Sequence, residues 1–324
     1  MHEAMFYSKD SNYVYCLLCP HYCKLRQGQR GRCKVRINRD GKLYTENYER
    51  VTSYHYDPIE KKPLYHFHPG STIFSFGSFG CNFSCDFCQN WEIVENSNNY
   101  LNISRGNILS LSKASSSIGI AYTYNEPTIY YEFMYDVVRM IKDEGLLNVI
   151  VTNGFINRDP LLKILPYIDG INIDLKSNSD NFYKLLCNGS LEPVKNTIRL
   201  ASLYTHVELT TMIIDGKNSS DEEIEEISKF IAQINPDIPL HLSRYFPQNK
   251  MNDPPTQVDT LVRLRNVARK RLNHVYIGNV WGVDNDTICP NCKNTIIKRH
   301  LTTEISGLEE NKCTTCGYQV YGVY

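Results

Sequence analysis

Cys81, Cys85 and Cys88 fall in the order C-x3-C-x2-C within the stretch FGCNFSCDFCQNW. Three thiolates at this spacing can hold three corners of a cubic iron–sulfur cluster and leave its fourth iron open. An electron-transfer cluster is closed by four cysteines, so an incomplete set offers a place where a small molecule can bind metal directly. A zinc site completed by a distant residue, or a group of buried structural thiols, are the alternative readings of the spacing.

The other nine of the twelve cysteines are also unevenly spread. Cys16, Cys19, Cys23 and Cys33 follow C-x2-C-x3-C-x9-C around the turn-forming Pro20, Gly28 and Gly31. Four thiolates so placed suit zinc or a second cluster, and either would stabilise a segment too small to fold on apolar burial alone. Cys289, Cys292, Cys313 and Cys316 form two C-x2-C knuckles separated by twenty residues, the pattern of a zinc ribbon. Cys187 stands alone in KLLCNG; it is either a buried thiol or, facing a site, a hydrogen-atom donor or covalent link to substrate. Tight Cys pairs point to metal rather than to disulfides, and therefore to a reducing compartment.

The elements that must position the three-cysteine loop are readable from period and punctuation. From residue 71 to about 280, short apolar runs alternate with amphipathic stretches, the pattern of parallel β/α architecture. Strands are expected at STIFSFGSF, SIGIAYTY, LNVIVT, GINIDLK, HVELTTMII, IPLHLS and HVYIG. Helices are expected through IYYEFMYDVVRMIKDEG, after NRDP, near FYKLL, and through PVKNTIRLASLY, SSDEEIEEISKFIAQI and TQVDTLVRLRNVARKRL. Ile224, Ile227, Ile231 and Ile234 keep helical spacing and read as core. The expected fold is α/β: a partial (β/α)6 barrel over residues 71–285, preceded by a Cys-rich metal domain and linker over 1–70 and followed by a ribbon over 286–324. The first unit includes a hairpin at KVRIN-RDG-KLYT, whose Asp-Gly pair favours a tight reversal. In the linker DPIEKKPLYHFHPG, Lys61, Lys62, His66 and His68 either line a site or are solvated.

Parallel β/α folds put chemistry at the C-terminal ends of strands. There the sequence places Asn125 and Glu126, then Thr152, Asn153 and Gly154, then Asp174 and Lys176, then Thr210 and Thr211, and finally His241, Ser243 and Arg244. Five strand ends in succession form a polar rim expected above the cluster loop.

Thirty-five basic residues balance thirty-five acidic ones, so net charge gives no reason to expect nucleic acid or an anionic membrane as partner. No run approaches the ~18 apolar residues of a membrane span, and MHEAMFYSKDSNY lacks a signal-peptide core. A cytoplasmic protein is expected.

The CNFSCDFC motif followed by βα units resembles the radical S-adenosylmethionine (SAM) superfamily, in its pyruvate formate-lyase activating enzyme branch. More narrowly, CLLCPHYC, DPIEKKPLYHFHPG, YNEPT, IDLK, HLSRYFP and the Cys-rich tail resemble the AmmeMemoRadiSam system radical SAM enzymes over nearly the whole chain. The resemblance implies a [4Fe–4S] cluster on Cys81, Cys85 and Cys88 whose open iron is chelated by SAM. One electron, from a reduced flavodoxin or ferredoxin-type donor, then yields methionine and a 5′-deoxyadenosyl radical that abstracts hydrogen from a substrate. It implies that Asn125 and Glu126 replace a Gly-Gly-Glu segment facing the methionine amino group, and that Asn90 and Lys176 lie near its carboxylate or ribose. Asn153, Thr211 and His241 join the implied cofactor rim, and Thr152 and Asp174 match a cation site in which Val151 stands where an Asp is expected. Three functions follow: an oxidoreductase-like radical enzyme on a small molecule, with two companion proteins; an activase making a glycyl radical on a protein partner; or a non-enzymatic metal-binding module.

Overall fold

Seven apolar runs pair side by side in the order in which the chain makes them. The computed structural model describes residues 1–95 and 97–324. One eight-stranded sheet contains β1 (Ser53–Pro58), β2 (Thr72–Gly77), β3 (Ser117–Tyr122), β4 (Leu147–Thr152), β5 (Gly170–Asp174), β6 (His206–Ile213), β7 (Leu240–Arg244) and β8 (Val275–Gly278). β1 is antiparallel to β2, and every later pair is parallel. β1 and β8 are its two edges, so the sheet is open. Parallel neighbours require crossovers, made here by α1 (Arg105–Ser112), α2 (Tyr131–Asp143), α3 (Arg158–Ile164), α4 (Leu191–Ala201), α5 (Asp221–Ile234) and α6 (Val258–Ala268). Stepping always to the next strand with one crossover hand puts the helices on one face and leaves the other to line an interior.

Local chemistry explains the helices. In α2, Phe133, Val137 and Ile141 recur at every fourth position and are all buried. Each such side chain contributes roughly 1.5–3 kcal/mol on leaving water. Ser220 caps α5, its hydroxyl accepting from the Glu223 N–H at 3.1 Å, and Asp221, Glu222 and Glu223 meet the positive helix end. Ile224, Ile227 and Ile231 are buried, while Ile234, at the frayed end, is only half-buried. α1 has no counterpart in the expected helices: its apolar residues are too few to make a stripe, and its Ser104 cap is the one local signal. The FYKLL helix is a single α turn, Asp180–Phe182, running into a π turn, Tyr183–Cys187.

The expected hairpin is present, Arg36–Arg39 pairing with Lys42–Thr45 across Asp40 and Gly41, both at positive φ. In the linker Lys61 is solvated, but its other named residues are packed inward. Lys62 is buried on Asp57 at 2.7 Å, and His66 lies wholly inside. The chain end closes over it: Val323 N–H donates to the His66 carbonyl at 2.8 Å, and His68 N–H to the Val323 carbonyl at 2.7 Å. Among the described residues, no helix is long and apolar enough to cross a membrane.

Candidate active site

β2 leads directly into the cysteine loop, and close backbone packing dictates the turn. A Cβ on Gly80 would lie 2.7 Å from the Cys33 carbonyl and 2.8 Å from Val35, and the residue has φ +84°, so only glycine fits before Cys81. Past it, Cys81, Cys85 and Cys88 all line one cavity of about 260 Å³ at the C-terminal edge of the sheet. That volume is close to the lower end for ligand pockets. Asn90, Asn125, Glu126, Thr152, Asn153, Asp174 and Lys176 line the same cavity.

Most of these side chains are already engaged. Asn125 Oδ1 accepts from Ser78 N–H at 2.9 Å and its Nδ2 donates to the Gly80 carbonyl at 3.0 Å, so it fixes the strand exit before the cysteines. Asn90 Nδ2 donates to the Tyr124 carbonyl at 2.8 Å and ties the far side of the loop to the same turn. Glu126 is buried and accepts from Thr128 N–H at 2.9 Å, Thr152 Oγ1 at 2.7 Å and Asn153 N–H at 2.8 Å. Burial pushes its carboxyl up against the pull of those donors. Asn153 Nδ2 donates to Asn82 Oδ1 at 2.8 Å and approaches Cys81 Sγ at 3.8 Å.

Lys176 brings positive charge to the cavity wall. Burial alone would lower its ammonium, but the carboxylate of Asp174 at 2.9 Å and the thiols of Cys85 and Cys187 hold it well above the ordinary lysine range. A fixed ammonium facing a cavity can bind an anionic group, since only part of its three-donor capacity is used by Asp174.

Three expected site residues lie elsewhere. Thr211 is fully buried and donates to the Leu175 carbonyl at 2.7 Å; Thr210 and Met212, one residue to either side, line the cavity instead. Strand side chains alternate between faces, and Thr211 has the parity of the helix side. His241 sits one layer too low: its Nε2 meets Glu208 Oε2 at 2.7 Å, whereas Ser243, two residues on, reaches the cavity. Cys187 is wholly buried and does not line the cavity. The neighbouring Cys187 lowers the Cys85 thiol, while burial and the Glu126 charge push Cys81 well up. The turn that carries Cys187 braces the loop, Ser84 N–H donating to the Cys187 carbonyl at 3.0 Å.

Asn279, just past β8, also lines the cavity and donates to Ser243 Oγ at 2.9 Å. Its signal was a polar residue at the exit of a seventh parallel strand, the HVYIG run, beyond the five ends that make the expected rim.

The three cysteine groups differ in spacing. The sulfurs of Cys289, Cys292, Cys313 and Cys316 all lie within 4.8 Å of one another, with Cys289–Cys316 at 3.7 Å and Cys292–Cys313 at 3.6 Å. Among the described residues, no other group of three or more Cys, His, Asp or Glu side chains is gathered closely enough to hold a single ion.

An open, sequential β/α sheet with a three-cysteine loop at the strand C-termini defines a class of enzyme, and the comparisons agree. Residues 76–231 match the radical SAM superfamily. An uncharacterized protein of Methanocaldococcus jannaschii is 42% identical over 332 residues, covering 99% of each chain. A putative glycyl-radical enzyme activating enzyme of the same organism is 28% identical over 61% of this chain and 77% of its own. Pyruvate formate-lyase 1-activating enzyme of Escherichia coli is 26% identical over 36% of this chain and 48% of its own. Among solved structures, Streptococcus suis SuiB bound to SAM superposes with a TM-score of 0.51 at 14% identity, covering 69% of this chain and 53% of that one. The chain belongs to the radical SAM superfamily and is an enzyme of it. Membership implies SAM and a [4Fe–4S] cluster, and the donor set fits: three thiols line one cavity whose remaining wall is made by polar side chains.

Proposed function

We propose that the chain cleaves SAM reductively at a cluster held by Cys81, Cys85 and Cys88 and directs the resulting radical at a small-molecule substrate. When bound, the cluster supplies the electron and an open iron for the amino and carboxylate groups of SAM. The coincidence of the three-thiol loop with the cavity walled by Asn125, Glu126, Asp174 and Lys176 carries this reading. Lys176 presents its ammonium to the methionine carboxylate. Asn90, Asn125, Glu126 and Asn153 hold the turns around the loop and keep water from it, rather than contributing free side-chain donors. Thr152 and Asp174 are engaged with Glu126 and Lys176, which leaves little of the implied cation site.

The sheet is read as a partial barrel over 71–285, with a metal domain before it and a zinc-bound ribbon after it. Sulfur–sulfur spacings of 3.6–3.7 Å in the tail suit a tetrahedron built on zinc–sulfur bonds of about 2.3 Å. Both Cys-rich ends support the narrower AmmeMemoRadiSam grouping and its companion proteins, with a flavodoxin or ferredoxin-type donor.

The test is anaerobic reconstitution of the chain, reduction with dithionite and addition of SAM. The expected product is 5′-deoxyadenosine, with deuterium transferred into it from a labelled substrate in cell extract; a fully loaded, reduced sample that forms none would overturn the reading. A second reading, an activase for a glycyl-radical enzyme, draws on the names of two relatives. A protein-bound glycyl signal in electron paramagnetic resonance, appearing only with a partner protein, selects it over the small-molecule reading.

A further inference from the structure

We propose that Tyr124 is a positioning residue for the cofactor site. Gripped by the buried pair of Asp57 and Lys62, it fixes the turn from which Asn90 and the end of the cysteine loop hang. The proposal deepens the SAM-cleaving reading above and rests on it for the identity of the cofactor.

The turn after β3 is strained, and the strained residue is aromatic. Tyr124 has φ +69°, in the left-handed region that glycine or asparagine enters at least cost. A bulky residue stays there only when the surrounding structure over-determines it. Backbone packing supplies part of the constraint. Thr123 N–H donates to the Phe76 carbonyl at 3.0 Å, and a Cβ on Gly77 would lie 2.4 Å from the Thr123 carbonyl and 3.0 Å from Tyr124 Cβ.

The side chain supplies the rest. The Tyr124 hydroxyl donates to Asp57 Oδ2 at 2.6 Å, and the Lys62 ammonium donates to the same oxygen at 2.7 Å. Lys62 also stands 4.7 Å over the Tyr124 ring, a cation–π contact. Asp57 is 9% exposed and Lys62 3%, so water screens these contacts little. Asp57 belongs to β1 and Lys62 to the linker. The segment ahead of residue 71 thus grips a residue of the cavity wall, since Tyr124 lines the cavity beside the three cysteines.

The anchored turn holds the loop at both of its ends. The Tyr124 carbonyl accepts from Asn90 Nδ2 at 2.8 Å, two residues past Cys88. The Asn90 carbonyl in turn accepts from Val94 N–H at 3.1 Å, and the Val94 carbonyl from Gly80 N–H at 2.8 Å, immediately before Cys81. Asn125 and Glu126, next along the same turn, meet Ser78 and Thr152. Relaxing φ at Tyr124 would swing its carbonyl away from Asn90 and disturb all of these contacts together. Without the anchor, only a fraction of molecules keeps the turn that SAM requires, and apparent affinity falls by that fraction.

The test is Tyr124→Phe, which removes one hydroxyl and leaves the ring and the Asp57–Lys62 pair in place. Losing a hydrogen bond to a charged acceptor shifts an equilibrium roughly tenfold or more. In the iron-free full chain, amide exchange over residues 78–94, read by mass spectrometry, should speed up about tenfold while exchange across β6 stays native. In the anaerobically reconstituted chain, KM for SAM in 5′-deoxyadenosine formation should rise about tenfold, with kcat within about threefold of native and iron content unchanged. Asp57→Ala should repeat both changes, and Asp57→Asn, which keeps an oxygen to accept from the phenol, should recover most of the loss. Native exchange over 78–94 in Tyr124→Phe, or an unchanged KM, would overturn the proposal. A native chain that forms no 5′-deoxyadenosine sinks the SAM reading instead, and the exchange measurement still decides whether Tyr124 holds the loop.

Discussion

The two ends of the parallel sheet are both polar, and they have opposite character. At the C-terminal end, Lys176, Ser243 and Asn279 wall a cavity of about 260 Å³ beside three thiols. At the N-terminal end, polar groups face one another. Glu208, wholly buried, accepts from Tyr65 N–H at 2.9 Å, His66 N–H at 2.7 Å, His206 at 3.0 Å and His241 at 2.7 Å. His66 continues the network through Tyr276 at 2.6 Å and the Tyr321 carbonyl at 2.7 Å, and Arg299 from the tail donates to the Tyr65 carbonyl at 2.6 Å. A carboxylate with four donors is saturated, so this end is a polar plug that joins linker, sheet and tail. A polar strand residue marks function where it faces space, and structure where its partners are complete.

The sharpest way to break the comparison is to remove one central side chain from each end and ask what is lost. Replacing Cys81, Cys85 or Cys88 by Ala should abolish 5′-deoxyadenosine formation while leaving the unfolding midpoint of the iron-free chain within about 1 kcal/mol of native. Glu208→Ala should do the reverse. Leaving two histidines and two backbone donors buried without their acceptor should cost about 3–5 kcal/mol in denaturant unfolding, with SAM cleavage per folded molecule unchanged. Loss of cleavage in a folded Glu208→Ala chain would show that the plug reaches the active site.

The plug also fixes the sign of the acid response. Burial holds His66 well below, and His274 down at about 4 from, the ordinary value of 6.5, so both fold neutral. Glu208, which burial alone would raise, is held well below 4.5 by His206 and His241. In all three cases the unfolded chain binds protons that the folded chain refuses, and stability rises with pH through each window. Acidification should therefore destabilise the chain first below pH 6.5, through the two histidines, and again below pH 4.5, through Glu208. Chemical denaturation between pH 7 and about 2.5 would measure this, and Glu208→Gln should remove the lower step while keeping the upper.

How much of this was legible follows from which signals are local. Seven of the eight sheet strands, all but β1, five of the six helices and the hairpin at Asp40–Gly41 were readable because periodicity and turn chemistry act over a few residues. The rim was readable as far as strand exits were. Parity then separated Thr211 from Thr210, and depth separated His241 from Ser243, and neither parity nor depth can be fixed until the strand register is known. The plug was illegible for another reason: His66, Glu208 and Tyr321 are far apart in sequence, and only the closure of the tail over the linker makes partners of them.

Two smaller effects sharpen the contrast. Lys176→Met keeps the length of the side chain and removes the charge that faces the cavity. Losing one charged hydrogen bond costs about 1.5–3 kcal/mol, so SAM affinity, measured by equilibrium binding to the reconstituted chain, should fall roughly 10- to 150-fold. A variant that binds SAM as tightly as the native chain would remove Lys176 from the carboxylate site. Cys187→Ala should have the smallest effect. A thiol buried behind Cys85, outside the cavity, cannot reach a substrate there without moving the turn that braces the loop. Turnover should stay within about threefold of native, with a stability loss of about 1 kcal/mol. If product formation stops while iron content and SAM cleavage persist, the thiol reaches the substrate after all, and the boundary between saturated interior and reactive rim runs on its far side.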